Sequence, residues 1–181
     1  MMHELATIQP RRRRRVAVAI ATAIALVVGL ATAPGQADAA GHVEVITDIQ
    51  YGPHLPGNLM DLYIPTDVEG PLPVLIWHSG SAWFSNTAKN SVGTIDDEFN
   101  ARGFAVAAIS IRSSGDAPFP AQGADVRAAI RHLRANADEY GLDPDRFAFS
   151  GNSSGGWATA FAATTSDTPQ FPWEAPGTAR V

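Results

Sequence analysis

Phe147-Ala148-Phe149-Ser150-Gly151-Asn152-Ser153-Ser154-Gly155-Gly156-Trp157-Ala158 is the stretch on which the reading of this chain turns. Its first four residues are an apolar strand-like run, and Gly156 to Phe161 begins a helical one. Between them, Ser153 has a glycine two positions before it and another two positions after it. A strand that turns sharply into a helix holds a serine hydroxyl exposed, rigid and close to backbone N–H groups. Glycines at those two positions are expected because side chains there would meet the neighbouring strand and helix. The pattern makes Ser153 the candidate nucleophile. Ser154, directly after it, offers a backbone N–H to a developing oxyanion.

Working outward, the flanking sequence alternates between strand and helix. His42 to Ile49 and Leu59 to Ile64 read as two early strands separated by Gly52-Pro53 and Pro56-Gly57 turns. Val74 to Trp77 and Phe104 to Ile111 are continuous apolar runs, as expected of strands buried on both faces. Thr94 to Arg102 reads as a short helix with Asp96, Asp97 and Glu98 in its first turns. Asp125 to Tyr140 reads as a longer helix with Val126, Ala129, Ile130, Leu133, Ala137 and Tyr140 on one face. Gly141 ends that helix and Asp143-Pro144-Asp145 turns into the next strand. The alternation predicts an α/β class, with a mostly parallel sheet and helices on both faces.

The loop after the Val74–Trp77 strand, His78-Ser79-Gly80-Ser81-Ala82-Trp83, is built of small residues that let backbone approach a substrate carbonyl. With this loop and the serine turn in hand, the chain resembles the α/β-hydrolase esterase/lipase family. Within that family it is most similar to the feruloyl-esterase-like and hormone-sensitive-lipase-like carboxylesterases, which carry His-Gly-Gly-Gly/Ala-Trp here. Aligned on Trp83, the resemblance makes Gly80 and Ser81 the further oxyanion donors and sets Ser79 at the usual histidine. His78 is then a strand-end residue that orders the loop, and Trp83 a wall of the pocket. The segments Gly115 to Gln122, Asp125 to Arg131 and Tyr140 to Arg146 also look like this family's approach to the nucleophile. The resemblance spans roughly residues 42–168 and implies an α/β-hydrolase fold. The function it implies is hydrolysis of a small-molecule or carbohydrate-linked ester, with no cofactor and no metal.

The ends of the chain shape the rest of the reading. Arg11 to Arg15 precede the uncharged apolar run Val16 to Ala33, and Ala37-Asp38-Ala39 follows. Basic, apolar and small, in that order, is the plan of a signal peptide over residues 1–39, with cleavage expected after Ala39. The alternatives are an uncleaved anchor and, among export routes, Sec or twin-arginine. The product is expected to be secreted or extracytoplasmic. Five of the 13 basic residues lie in the arginine run, and Glu4 and Asp38 are the acids before Ala39. The remainder therefore carries 8 basic and 16 acidic residues, about −8, which speaks against a nucleic-acid partner. With no cysteine, disulfides and thiolate chemistry are excluded.

A serine of this kind needs a histidine to take its proton and an acid to orient that histidine, and in this fold both follow the serine. Here all five histidines, His3, His42, His54, His78 and His132, precede Ser153. The acids after it are Asp167 and Glu174. Asp167 reads as a helix-end loop residue, and His132, beside Arg131 and Arg134, as a solvated side chain. The expectation is a partial α/β-hydrolase domain over residues 40–181, truncated after the nucleophile helix and inactive by itself. Two alternatives stand beside it: a non-catalytic exported or membrane-anchored binding protein of the same fold, and a serine peptidase of that fold.

Overall fold

The computed structural model of the chain describes residues 41–168, 171 and 179–181. The expected signal segment, residues 1–39, and Glu174 lie outside the described residues. Five strands form one sheet: β1 (Val43–Gln50), β2 (Leu59–Pro65), β3 (Leu72–His78), β4 (Ala105–Ile109) and β5 (Leu142–Gly151). Their spatial order is β1-β2-β4-β3-β5. β4, β3 and β5 run parallel, while β2 is antiparallel to both β1 and β4. β3 and β4 carry short, uninterrupted apolar runs, as strands covered on both faces should, while Ala148 in the run of β5, at the end of the strand order, is exposed.

Helices cover both faces. Side chains alternate along each strand, so Met60 and Leu62 of β2, Val74 and Ile76 of β3, and Ala105, Ala107 and Ile109 of β4 share one face. They form the main core with Val126, Ala129, Ile130 and Leu133 of α2 (Ala121–Ala135) and Ala158 and Ala162 of α3 (Ser154–Thr164). The other face carries Asp61 and Tyr63. Against it sit a 3-10 turn (Ala88–Ser91) and the short helix α1 (Ile95–Asn100), the turn through Lys89 on Asp61. α2 and α3 pack closely because Gly123 has no side chain. A Cβ there would lie 2.5 Å from the Phe161 ring.

Two boundaries differ from the sequence reading. α2 starts at Ala121, directly after Pro120, and not at Asp125; it ends at Ala135, not Tyr140. Asp125 resembles a helix-start acid in sequence, yet it is a buried interior residue whose carboxylate takes a forked hydrogen bond from the Arg112 guanidinium, at 2.7 Å from Nη2 and 2.9 Å from Nε. β5 begins at Leu142, five residues early. However, Leu142 pairs with Leu72 and Phe147 with Val74, so Asp143 to Arg146 bulge from the ladder where a turn is expected. Two of the arginines of α2 are withdrawn from solvent. Arg127 and Arg131 are buried, and the Arg127 guanidinium donates to the Thr165 carbonyl at 2.5 Å.

Candidate active site

Ser153 sits where β5 gives way to α3, at φ 54° and ψ −119°. A non-glycine residue rarely adopts such a backbone, and it persists only where the surroundings over-determine it. The surroundings here are the end of β3. Gly151 pairs with His78 in the parallel ladder, and the elbow folds back over that strand's last carbonyl. A Cβ on Gly151 would lie 2.4 Å from the His78 carbonyl oxygen, and one on Gly155 only 1.9 Å from it. Both glycines are therefore required by the same backbone atom. Gly156, which also lends weight to the motif in sequence, is not: a Cβ there meets nothing closer than 3.6 Å.

The loop after β3 arrives from the other side. Gly80 lies against Ser153 so closely that a Cβ on it would be 2.8 Å from Ser153 Cβ. The structure thus brings together Ser153, Ser154, Gly80 and Ser81. It also shows how their donors are engaged. Gly80 N–H donates to Asn152 Oδ1 at 2.8 Å, and Ser81 N–H donates to Ser154 Oγ at 2.8 Å. For Ser154 N–H, at the first turn of α3, no acceptor is found among the described residues. Ala82 and Trp83 follow in left-handed conformations, φ 49° and 60°, in a turn closed by Phe84 N–H on the Ser81 carbonyl at 2.9 Å.

Further ties hold the loop. Ser114 N–H donates to the Trp83 carbonyl at 2.7 Å, and Asn86 Nδ2 to Asp116 Oδ2 at 2.8 Å. Trp77 Nε1 donates to Ser79 Oγ at 3.0 Å, and that hydroxyl in turn donates to the Ser91 carbonyl. Lys89 bridges Asp61 and Asp48, each at 2.9 Å. Burial pulls the Lys89 ammonium down, but its hydrogen bonds to the two carboxylates outweigh this and its pKa is raised. No local motif marks this network, because Asp61 and Lys89 are 28 residues apart.

Two of the histidines that precede Ser153, His78 and His132, are withdrawn from solvent to different degrees. His78 is fully buried, and among the described residues neither ring nitrogen has a hydrogen-bond partner. Burial pushes its imidazole down to about 4, and the adjacent backbone of His78 and Ser79 offsets this only in part. It orders the elbow through its carbonyl, not through its ring. His132 is half-buried on α2 instead of solvated, and burial lowers its pKa. Asp167 is 77% exposed at its side chain and pairs with Arg180 at 2.5 Å.

Beside the elbow is a cavity of about 390 Å³ lined by Trp83, Phe84, Phe119 and Trp157, with Ser114 and Gln122 among its polar members. Trp157 is one helical turn beyond Ser153. It stacks on Phe161 with centroids 5.3 Å apart and meets the edges of Trp83 at 6.3 Å and Phe119 at 6.5 Å. Trp83 is a wall, as the sequence reading has it.

A strand-turn-helix elbow on a parallel sheet, facing a small-residue loop from the adjacent strand, defines an α/β-hydrolase of the esterase type. The comparisons narrow this. The BD-FAE family profile matches residues 60–178, and the chain belongs to that family. It is 32% identical over 126 residues to the probable carboxylic ester hydrolase LipM of Mycobacterium tuberculosis, covering 68% of this chain and 29% of that one. With esterase LipC of the same organism the identity is 32%, over 67% of this chain and 30% of LipC. A truncated carbohydrate esterase from gut microbiota superposes with a TM-score of 0.67 at 35% identity, covering 75% of this chain and 48% of that structure. The bifunctional GH43-CE protein of Bacteroides eggerthii gives 0.70 at 37%, covering 76% of this chain and 21% of that one. The chain thus spans about 30% of the length of these curated relatives.

Proposed function

We propose that this chain carries the nucleophile half of an exported serine carboxylic-ester hydrolase. Ser153 Oγ attacks the ester carbonyl. The oxyanion that forms is met by Ser154 N–H, with the Gly80–Ser81 loop held beside it by Asn152 and Ser154, and the aromatic cavity takes an apolar part of the substrate. The observation that carries this reading is the left-handed backbone of Ser153, held over the end of β3 by Gly151 and Gly155. A strained backbone of this kind, at a strand-to-helix turn, is what presents a hydroxyl for attack. The esterase names of the relatives support it, and the carbohydrate esterase among the structures supports a carbohydrate-linked ester as substrate. Export rests on the plan of residues 1–39.

The proton acceptor and its acid come from outside the described residues, since His78 is buried without a partner and Asp167 is taken by Arg180. The 181-residue chain alone is therefore expected to turn over no nitrophenyl ester. Residues 41–168 joined to the C-terminal portion of the 35%-identical carbohydrate esterase should hydrolyse nitrophenyl acetate, and Ser153→Ala should abolish it. Hydrolysis by the chimera that survives Ser153→Ala removes Ser153 from the reaction. Ser153-dependent turnover by the 181-residue chain itself overturns the missing base. The engagement of the Gly80 and Ser81 amides by Asn152 and Ser154 favours a second reading, a binding protein that keeps the fold. Inactivity of the chimera with the ester still bound would select it.

A further inference from the structure

We propose that Asn152 and Ser154 are positioning residues whose side chains, one on each side of the nucleophile, clamp the donor loop onto the elbow. The inference rests on the reading of Ser153 as the nucleophile and adds two residues to that site. Asn152 Oδ1 accepts Gly80 N–H and Ser154 Oγ accepts Ser81 N–H, both at 2.8 Å, with Ser81 Oγ 3.3 Å from Ser154 Oγ. Consecutive amides of one loop are thus held by the two neighbours of one serine, across 72 and 73 residues of sequence.

The two contacts differ in kind. Ser154 is fully buried, so its hydroxyl cannot trade Ser81 N–H for water unless the loop lifts away. Breaking it strands a buried polar group, which is costlier than the bond's net contribution. Asn152 is exposed, so Gly80 is held by a contact in competition with solvent. The loop needs the restraint because its next two residues, Ala82 and Trp83, are non-glycine and left-handed, and such a turn relaxes when its anchor is lost. Gly80 touches the space of Ser153, so a loop displaced by a few tenths of an ångström alters the room above the nucleophile. It follows that Gly80 and Ser81 N–H hold the loop, and that Ser154 N–H is the donor left facing a substrate oxyanion.

Amide hydrogen exchange of the ¹⁵N-labelled 181-residue chain tests this without turnover. In the unaltered chain, Gly80 and Ser81 amides are expected to be protected. Asn152→Ala should speed exchange at Gly80 about fivefold or more. Asn152→Asp, which keeps an oxygen at the same place, should restore protection. Ser154→Ala should speed exchange at Ser81, and in every variant the amides of Ile76 and Ala107 in the sheet should stay as slow as before. If Ser154→Ala does not fold, the Asn152 pair decides. Unprotected Gly80 and Ser81 in the unaltered chain, or equal exchange in Asn152→Ala and Asn152→Asp, overturns the clamp. Neither result depends on whether Ser153 reacts, so failure here is distinct from failure of the nucleophile reading.

Discussion

The elbow and the mouth of the cavity lie a helical turn apart and are built on opposite terms. At the elbow, backbone meets backbone: the His78 carbonyl fills the space that Cβ atoms on Gly151 and Gly155 would need. At the mouth, side chains project into solvent, with Phe84 84% exposed and Phe119 67%. The first region tolerates no added atom, and the second constrains little beyond an aromatic surface. A nucleophile must be placed to within tenths of an ångström, whereas an apolar pocket gains from area and depends only weakly on exact position. The difference separates a region fixed by backbone contact from one left open by exposed aromatic side chains.

The largest expected effect probes the tight side. Gly155→Ala places a Cβ 1.9 Å from a carbonyl oxygen that cannot move without breaking the β3–β5 ladder. Destabilisation beyond about 3 kcal/mol, read as loss of a cooperative urea transition, is expected. A chain that unfolds like the original would mean the elbow is far softer than its geometry.

The next effect concerns pH. His78 is neutral in the fold, with its pKa lowered from 6.5 to about 4, while the unfolded chain protonates it near 6.5. Between those values the unfolded state binds more protons, so stability is full above about pH 6.5 and falls as pH drops towards 4. The fall is expected to reach about 3 kcal/mol. His78→Leu should flatten that slope in urea titrations from pH 7 to 4; an unchanged slope assigns it to other groups, His132 among them.

Gly80→Ala should cost about 1–2 kcal/mol, because the new Cβ meets Ser153 Cβ at 2.8 Å from a loop that has some room to move. Thermal unfolding measures it. The smallest effect belongs to the mouth. Phe84→Ala should leave stability within about 0.5 kcal/mol, yet weaken binding of an aryl ester to the cavity. Equal losses of stability at Phe84 and Gly80 would erase the distinction between the two regions.

Most of the elbow was legible because its requirement is local: five consecutive residues state the turn, and period-two and apolar patterns state the strands around it. Gly80 and Ser81 could be placed beside Ser153 only through resemblance to a family, since the contact joins loops more than seventy residues apart. That their N–H groups already serve Asn152 and Ser154 was not readable, because side-chain acceptors leave no periodic trace. The start of α2 was not legible either: the apolar face begins near Asp125, and only the fold shows that the helix starts at Ala121 and that Asp125 pairs with Arg112. The lowered pKa of His78 likewise depends on burial, which a strand-end histidine does not announce.

The contact between Trp83 and Trp157 carries one more consequence. Two indoles 6.3 Å apart and inclined at 71° couple their electronic transitions, one on the loop after β3 and one on α3. The molecule therefore contains its own optical gauge. A lift of the loop from the elbow changes the distance or angle between these chromophores, and near-ultraviolet circular dichroism reports it without a label.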